Sequence, residues 1–315
     1  HAMGDVDGNV GAWGFARGGM GAVSGSLASA LQSLGGEIRN DAEVAQILVS
    51  GKKATGVRLA SGEEISAKTV VSNLDARRTF TTVMDEKDVP PYVLERARNF
   101  KIRGSSGKLN IALDGMPTFQ ALPKDSPLTL GHMHFTDTLT RLERAYDDWK
   151  DDRWSADPYC DFLIPSQYDP TLAPPGKHMA TVFVQYCPVE PDGGWTDEKR
   201  DQFGQVVIDQ IADYSPDFKD LLLHAEIRTP RELENEVGLT QGNIFQGELT
   251  FDQLMFNRPF PGYAQYRGPV KGMYMCGSST HPGGGVMGAP GANAAREILR
   301  DLRKPDTTPK EFSDD

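Results

Sequence analysis

Six glycines fall within the fifteen residues Gly277-Ser278-Ser279-Thr280-His281-Pro282-Gly283-Gly284-Gly285-Val286-Met287-Gly288-Ala289-Pro290-Gly291, the stretch whose composition points most directly to chemistry. Glycine lets a backbone approach a ligand closely, and a helix starting just beyond presents unpaired N–H groups to an anionic or electron-rich partner such as a phosphate. The alternative is a Gly/Pro-rich surface turn that caps the last helix. His281 also has two readings: it polarises a ligand, or it fixes the turn together with Pro282. Cys276, just before the run, reads as a small buried hydrophobe rather than a redox thiol.

Other reactive side chains are scattered. His132 and His134 would face one side of a strand, a spacing found in metal sites, but no third ligand is identifiable and no metal is expected. The three cysteines, Cys160, Cys187 and Cys276, are far apart, which suggests neither a disulfide framework nor a thiolate zinc site. No serine sits in a G-x-S-x-G elbow, so a hydrolase lacks support. Trp13, Phe15 and Arg17 either line an apolar ligand face or are ordinary core and an exposed charge. No catalytic side chain is assigned; His281 and Arg17 are the candidates. The pairs Asp147-Asp148 and Asp151-Asp152 read as solvated surface. Gly19-Met20-Gly21-Ala22-Val23-Ser24 fits G-x-G-x-x-S, but no buried strand precedes it, so it reads as a helix start and not as a dinucleotide loop.

The elements that must position these groups follow from periodicity. Val23, Leu27, Ala30, Leu31 and Leu34 stripe a helix over 18–34 that stops at Gly35-Gly36. A small β-meander follows (Val44 to Val49, Val57 and Leu59, Ile65) and returns to a buried strand at Val70-Val71-Ser72-Asn73. The segment 75–99 reads as helix broken at Pro90-Pro91, and Leu109, Ile111 and Leu113 as a half-buried strand. Further strands are expected over 128–135, 159–164 and 179–186, with helices over 138–150 and 196–214. Met273 to Cys276 reads as a short buried strand, and Ala292, Ala295, Leu299 and Leu302 stripe a terminal helix.

With 315 residues the chain can bury a sizeable core, and 33 glycines and 21 prolines imply many tight turns. The net charge of -11 is spread along the chain without a basic stripe, which argues against nucleic acid as a partner. No run of about 18 apolar residues is present, and the first residues are too polar for a secretory signal. A soluble protein of the cytoplasm or an organelle matrix, not secreted, is expected. His1-Ala2-Met3 reads as a vector-derived scar, so the natural protein is expected to begin upstream.

Tyr274-Met275-Cys276-Gly277-Ser278-Ser279-Thr280-His281-Pro282-Gly283-Gly284-Gly285 closely resembles the C-terminal flavin motif of phytoene-desaturase-like oxidoreductases. Gly242-Asn243-Ile244-Phe245-Gln246-Gly247-Glu248-Leu249, Asp252-Gln253-Leu254 and Arg258-Pro259 resemble the branch that includes carotenoid-ketolase-like and pyridine-nucleotide-disulfide-oxidoreductase-domain proteins. Gly18-Gly19-Met20, Gly35-Gly36, Val44, Val57, Gly62 and Val70-Val71-Ser72-Asn73 follow the family's middle segment, so essentially the whole chain is covered. The resemblance implies FAD as cofactor, with Gly277 and Ser278 at its pyrophosphate, Gly284, Gly285, Val286, Met287 and Gly288 beside the isoalloxazine, and Val44 meeting adenine through its backbone. Two positions depart from the pattern. Ser278 stands where the wider superfamily often has an acid, which leaves the ribose and ribityl contacts there open. Gln246 stands where many members have His, so no proton-transfer role is carried over.

Complete members begin with a strand, a G-x-G-x-x-G turn and a helix, and this chain is expected to lack that loop. The expected fold class is α+β, an α/β flavoprotein fragment: a mixed-sheet substrate domain with covering helices plus the C-terminal part of an FAD-binding domain. The expected divisions are 4–103 (partial FAD-binding domain), 104–247 (substrate domain), 248–303 (return to the FAD-binding domain) and 304–315 (polar tail). The resemblance implies hydride exchange between FAD and a hydrophobic, polyunsaturated or isoprenoid-like substrate, as in desaturases, ketolases or isomerases. The alternative is a non-catalytic binding domain that does not retain FAD. Expected partners are the substrate, the missing N-terminal segment, a second copy through uncovered apolar surface, and a membrane surface in peripheral contact, although no basic amphipathic helix marks a docking face.

Overall fold

The computed structural model describes residues 5–6, 8–10, 14–123 and 126–303. In chain order its elements are β1 (Asp5–Val6), β2 (Asn9–Val10), α1 (Met20–Ser33), β3 (Val44–Ser50), β4 (Lys53–Leu59), β5 (Glu64–Ser66), β6 (Val70–Ser72), α2 (Ala76–Thr81), α3 (Pro91–Arg98) and β7 (Ser106–Leu113). There follow β8 (Met133–His134), α4 (Leu139–Lys150), β9 (Tyr159–Leu163), β10 (His178–Gln185), α5 (Asp197–Tyr214), α6 (Phe218–Leu221), β11 (Leu222–Arg228), α7 (Pro230–Val237), β12 (Met273–Met275) and α8 (Ala289–Arg303). The chain separates into two compact units: residues up to Ile38 with Gly104–Gly242, and Arg39–Arg103 with Asn243 onward. This grouping differs from the expected 4–103, 104–247 and 248–303, because α1 goes with the first unit and the later crossing falls at Gly242.

In the first unit a five-stranded sheet has the order β11-β7-β10-β9-β8. Period-two alternation buries Leu109, Ile111 and Leu113 on β7, Ala180, Val182 and Val184 on β10, and Cys160 and Phe162 on β9. Helix α5 contributes Phe203, Val207 and Ile211 to the same core, each stabilising by about 1.5–3 kcal/mol through burial. Two glycines permit the close packing: an added Cβ would lie 2.7 Å from Phe203 at Gly107 and 2.5 Å from Ile227 at Gly204. Lys108 and Asn110 of β7, with their partners Arg228 and Glu226 on β11, occupy the sheet's opposite face. The α+β class stands, but the expected mixture of strand directions is not within this sheet: every pairing here is antiparallel.

Several expected elements shift for local reasons. Over 128–135 only β8 is extended, because Ser126 caps a 3-10 turn over 127–130 that begins at Pro127. The segment 75–99 breaks into α2, capped by the Asp75 carboxylate on the Arg78 N–H at 2.9 Å, and α3, which starts at Pro91. Strand β11 and helix α7 were not expected from the sequence; the latter is set by a capping box of Thr229 and Glu232. Helix α1 forms as expected, and Gly36 N–H returns to the Leu31 carbonyl at 2.9 Å. Its apolar stripe stays in solvent, with Leu27 65% and Leu34 86% exposed.

The second unit contains the expected meander, β3, β4 and β5, all antiparallel. Strands β6 and β12 pair in parallel, Met273 opposite Val70 and Met275 opposite Ser72. Around them Ile47, Phe80, Val93, Phe100, Phe260, Met273 and Met275 form this unit's own core. Strand β12 is buried at every position and feeds directly into the glycine-rich run.

Candidate functional site

Cys276 N–H donates to the Ser72 carbonyl at 2.8 Å, which carries the β6–β12 pairing one peptide further. Only glycine fits at position 277: a Cβ would meet the Asn73 carbonyl oxygen at 2.4 Å and Gln246 Oε1 at 2.8 Å. Ser278 N–H then donates to Gln246 Oε1 at 3.1 Å. The buried Ser279 hydroxyl donates to the Gln246 carbonyl at 2.5 Å and accepts from Ala76 N–H at 3.1 Å, tying the loop to the start of α2. Thr280 folds back on the Gly277 carbonyl through its N–H (3.0 Å) and its hydroxyl (2.8 Å).

Beyond this self-bonded turn the backbone changes character. Gly283, Gly285, Val286 and Gly288 have φ of 104°, 124°, 58° and 63°, the region that favours glycine. Val286 and Met287 project from the tip, 74% and 46% exposed. A Cβ on Gly288 would meet nothing within 4 Å, so the backbone there is open to close approach. Helix α8 begins at the next residue with no acid in its first turn, which leaves the N–H ends of its peptides electrostatically available.

Beneath the loop lies Arg258, 0% exposed. Its Nε donates to the Ser278 carbonyl at 2.9 Å, and Nη2 to the carbonyls of Phe245 at 2.8 Å and Gly247 at 3.3 Å. Its Nη1 donates to the carbonyls of Gln253 at 3.2 Å and Glu248 at 3.3 Å. These five acceptors are all backbone carbonyl oxygens, and burial pulls the Arg258 pKa down to about 10, so it remains a cation at neutral pH. Asn243 arranges those carbonyls, its Oδ1 accepting from the N–H groups of Phe245 (2.9 Å) and Gly247 (3.1 Å).

Gly277, Ser278 and Gly284 to Gly288 thus lie on one loop of the second unit. Val44 opens β3 in that unit, opposite Leu59. His281 is exposed, and its backbone carbonyl accepts from the Tyr266 hydroxyl at 2.7 Å; Asn293 of α8 donates to the same hydroxyl at 2.9 Å. This bonding favours the turn-fixing reading of His281. Arg17 is exposed and belongs to the other unit, where its neighbour Gly18 donates its N–H to the Asp169 carboxylate and Phe15 stacks on Tyr168 with centroids 4.6 Å apart. Trp13 lies outside the described residues. Burial pushes the Cys276 thiol up, as a small hydrophobe would have it. His132 meets the Asp161 carboxylate at 2.8 Å and His134 the Tyr159 hydroxyl at 2.7 Å. Among the described residues no group of three His, Cys, Asp or Glu could hold a metal ion, and no helix is long and apolar enough to cross a membrane.

The placement of Arg258 and the contact made by Gln246 were missed in the sequence. Arg258 entered only as part of an Arg-Pro motif, although it is the only charge between Asp252 and Arg267, a signal of special placement. Gln246 holds the Ser278 peptide rather than a proton.

Residues 3–299 match the family described as flavin containing amine oxidoreductase. Mouse pyridine nucleotide-disulfide oxidoreductase domain-containing protein 2 is 40% identical over 313 residues, which cover 96% of this chain and 54% of that protein. The neurosporene-forming phytoene desaturase of Rhodobacter capsulatus is 28% identical over 297 residues, 93% of this chain and 55% of that one. An oxidoreductase from Methanosarcina mazei shares the fold with a TM-score of 0.53 at 14% identity, over 90% of this chain and 55% of that one. The chain therefore spans about half the length of the relatives it matches.

Proposed function

Because the chain belongs to the flavin containing amine oxidoreductase family, we propose that it forms part of an FAD-dependent oxidoreductase that exchanges a hydride with a hydrophobic, polyunsaturated or isoprenoid-like substrate. The observation that carries this reading is the loop between β12 and α8: left-handed glycines, an open backbone at Gly288, an acid-free helix start and a buried cation below. These features fit a dinucleotide that is anionic at its diphosphate and flat at its ring. In this reading Gly277 and Ser278 hold the diphosphate, Gly284, Gly285 and Gly288 bring backbone close to the isoalloxazine, and the Val44 backbone meets adenine. Val286 and Met287 supply an apolar wall that receives a hydrophobic substrate and excludes water. FAD supplies the redox chemistry when bound, so the chain's own task is to orient and to tune.

The second unit then holds the cofactor. A segment of the same protein outside this chain completes the grip on the diphosphate, which the relatives' greater length supports. That same coverage favours a second reading for the chain alone, a binding domain that retains no FAD. Visible absorption of the purified chain with added FAD separates them: a stoichiometric, perturbed flavin band supports cofactor retention, and a free-flavin spectrum supports the inert domain. If the full-length gene product also fails to retain flavin, the oxidoreductase reading falls.

A further inference from the structure

We propose that Arg258 is the positioning residue of the 277–288 loop: it fastens Ser278 to the 245–253 segment and presents an unneutralised positive charge beneath the loop to a phosphate-bearing ligand. The inference rests on the proposed function only for the identity of that ligand, the diphosphate of FAD. Moving a guanidinium out of water is costly unless a counter-charge and complete hydrogen bonding replace the solvent. Arg258 has the hydrogen bonds, to the carbonyls of Ser278, Phe245, Gly247, Glu248 and Gln253, and among the described residues no carboxylate pairs with it. Carboxylates are not scarce in this chain, which has 44 Asp and Glu against 33 Lys and Arg. A carboxylate at this place would neutralise the cation permanently, whereas carbonyl dipoles hold it in position and leave its net charge in force. The charge lies directly under the loop backbone: a Cβ built at Gly283 would stand 3.6 Å from Arg258 Nε, at ordinary contact distance. Because a planar fork is needed to serve carbonyls from two segments, lysine can replace the charge but not the geometry.

The test compares binding of ADP, adenosine and inorganic pyrophosphate by calorimetry, using this chain and the full-length protein as wild type, Arg258→Met and Arg258→Lys. Wild type should prefer ADP over adenosine and bind pyrophosphate. Arg258→Met should lose about 10-fold or more of the ADP preference. Arg258→Lys should stay within about 3-fold of wild type while its 277–283 amides exchange hydrogen faster, since the charge remains and the clamp is gone. An unchanged ADP preference in Arg258→Met, or no preference in wild type, overturns the proposal. Should the methionine variant not fold, the lysine variant decides: unaltered exchange over 277–283, or an abolished ADP preference, overturns it. FAD retained by the full-length protein with an Arg258-independent preference sinks this inference alone. An Arg258-dependent ADP preference without FAD retention sinks the proposed cofactor alone.

Discussion

Arg258 and Arg267 belong to the same unit and are held in opposite ways. Arg267 reaches α8 and is neutralised there: Nε meets Asp301 at 2.7 Å, Nη2 meets Glu297 at 2.6 Å, and the Tyr274 hydroxyl donates to Asp301 at 2.9 Å. Its hydrogen bond with Asp301 pushes its pKa up, whereas burial among carbonyls pulls that of Arg258 down. A neutralised arginine is a rivet between the segment before β12 and α8, complete without any ligand. An arginine held only by dipoles is rigid yet electrically unfinished, and rigidity with residual charge is what an anion site requires before its ligand arrives. The loop and the helix that follows it are thus fixed by one kind of contact and charged by the other.

Removing each arginine tests that contrast. Arg258→Met should cost about 3–5 kcal/mol, because buried carbonyls lose a charged donor, and Arg267→Met about 1–2 kcal/mol, since its carboxylates retain partial access to water. Urea unfolding of both variants ranks them, and a larger cost for Arg267→Met would break the comparison. Acid sharpens it further. Asp301 is held below the usual carboxylate pKa, first by its hydrogen bond with Arg267, so its contribution is complete above that usual value and disappears as pH falls through the lowered one. The cost of Arg267→Met should therefore shrink below about pH 4. That of Arg258→Met should not follow, since carbonyls do not titrate.

The glycines of the loop separate in the same manner, into those closed by protein and those left open. Gly277→Ala forces a methyl against the Asn73 carbonyl at 2.4 Å, backbone that cannot swing aside, and should cost about 1–3 kcal/mol. Gly288→Ala meets nothing within 4 Å; only its left-handed φ is penalised, by about 1 kcal/mol. Thermal midpoints of the two variants give the order. If Gly288→Ala is the more damaging in the free protein, its backbone is not open as described.

What could be read from the residues alone follows the range of the forces involved. Helix α1, the meander and the β12–loop–α8 passage were legible because glycine stops, period-two runs and a helical stripe are local signals. Strand β11 was not, since as the edge of its sheet it is only half-buried and shows no clean alternation. The residues 128–135 misled because apolar content suggested a strand where Ser126 and Pro127 dictate a turn. Within the site the glycines announced themselves, but Arg258 did not: its acceptors come from Phe245 to Gln253 and from Ser278, and no spacing rule brings those carbonyls together. Exposure of the α1 stripe was equally hidden, because periodicity states which face is apolar and not what covers it.

The smallest expected effect bears on His281. If its imidazole polarised a ligand, substitution would leave stability alone and alter ligand chemistry; if it serves the turn, the residue acts through its backbone and the side chain is dispensable. The structure puts the contact on the backbone, where the Tyr266 hydroxyl links the His281 carbonyl to Asn293 of α8. Tyr266→Phe should therefore cost about 1 kcal/mol by removing both bonds, whereas His281→Ala should change stability by less than about 0.5 kcal/mol. The flavin spectrum and turnover of full-length His281→Ala should also match wild type across the pH range in which the enzyme is active. A turnover loss with a shifted pH profile in that variant, at unchanged stability, would return His281 to the chemistry.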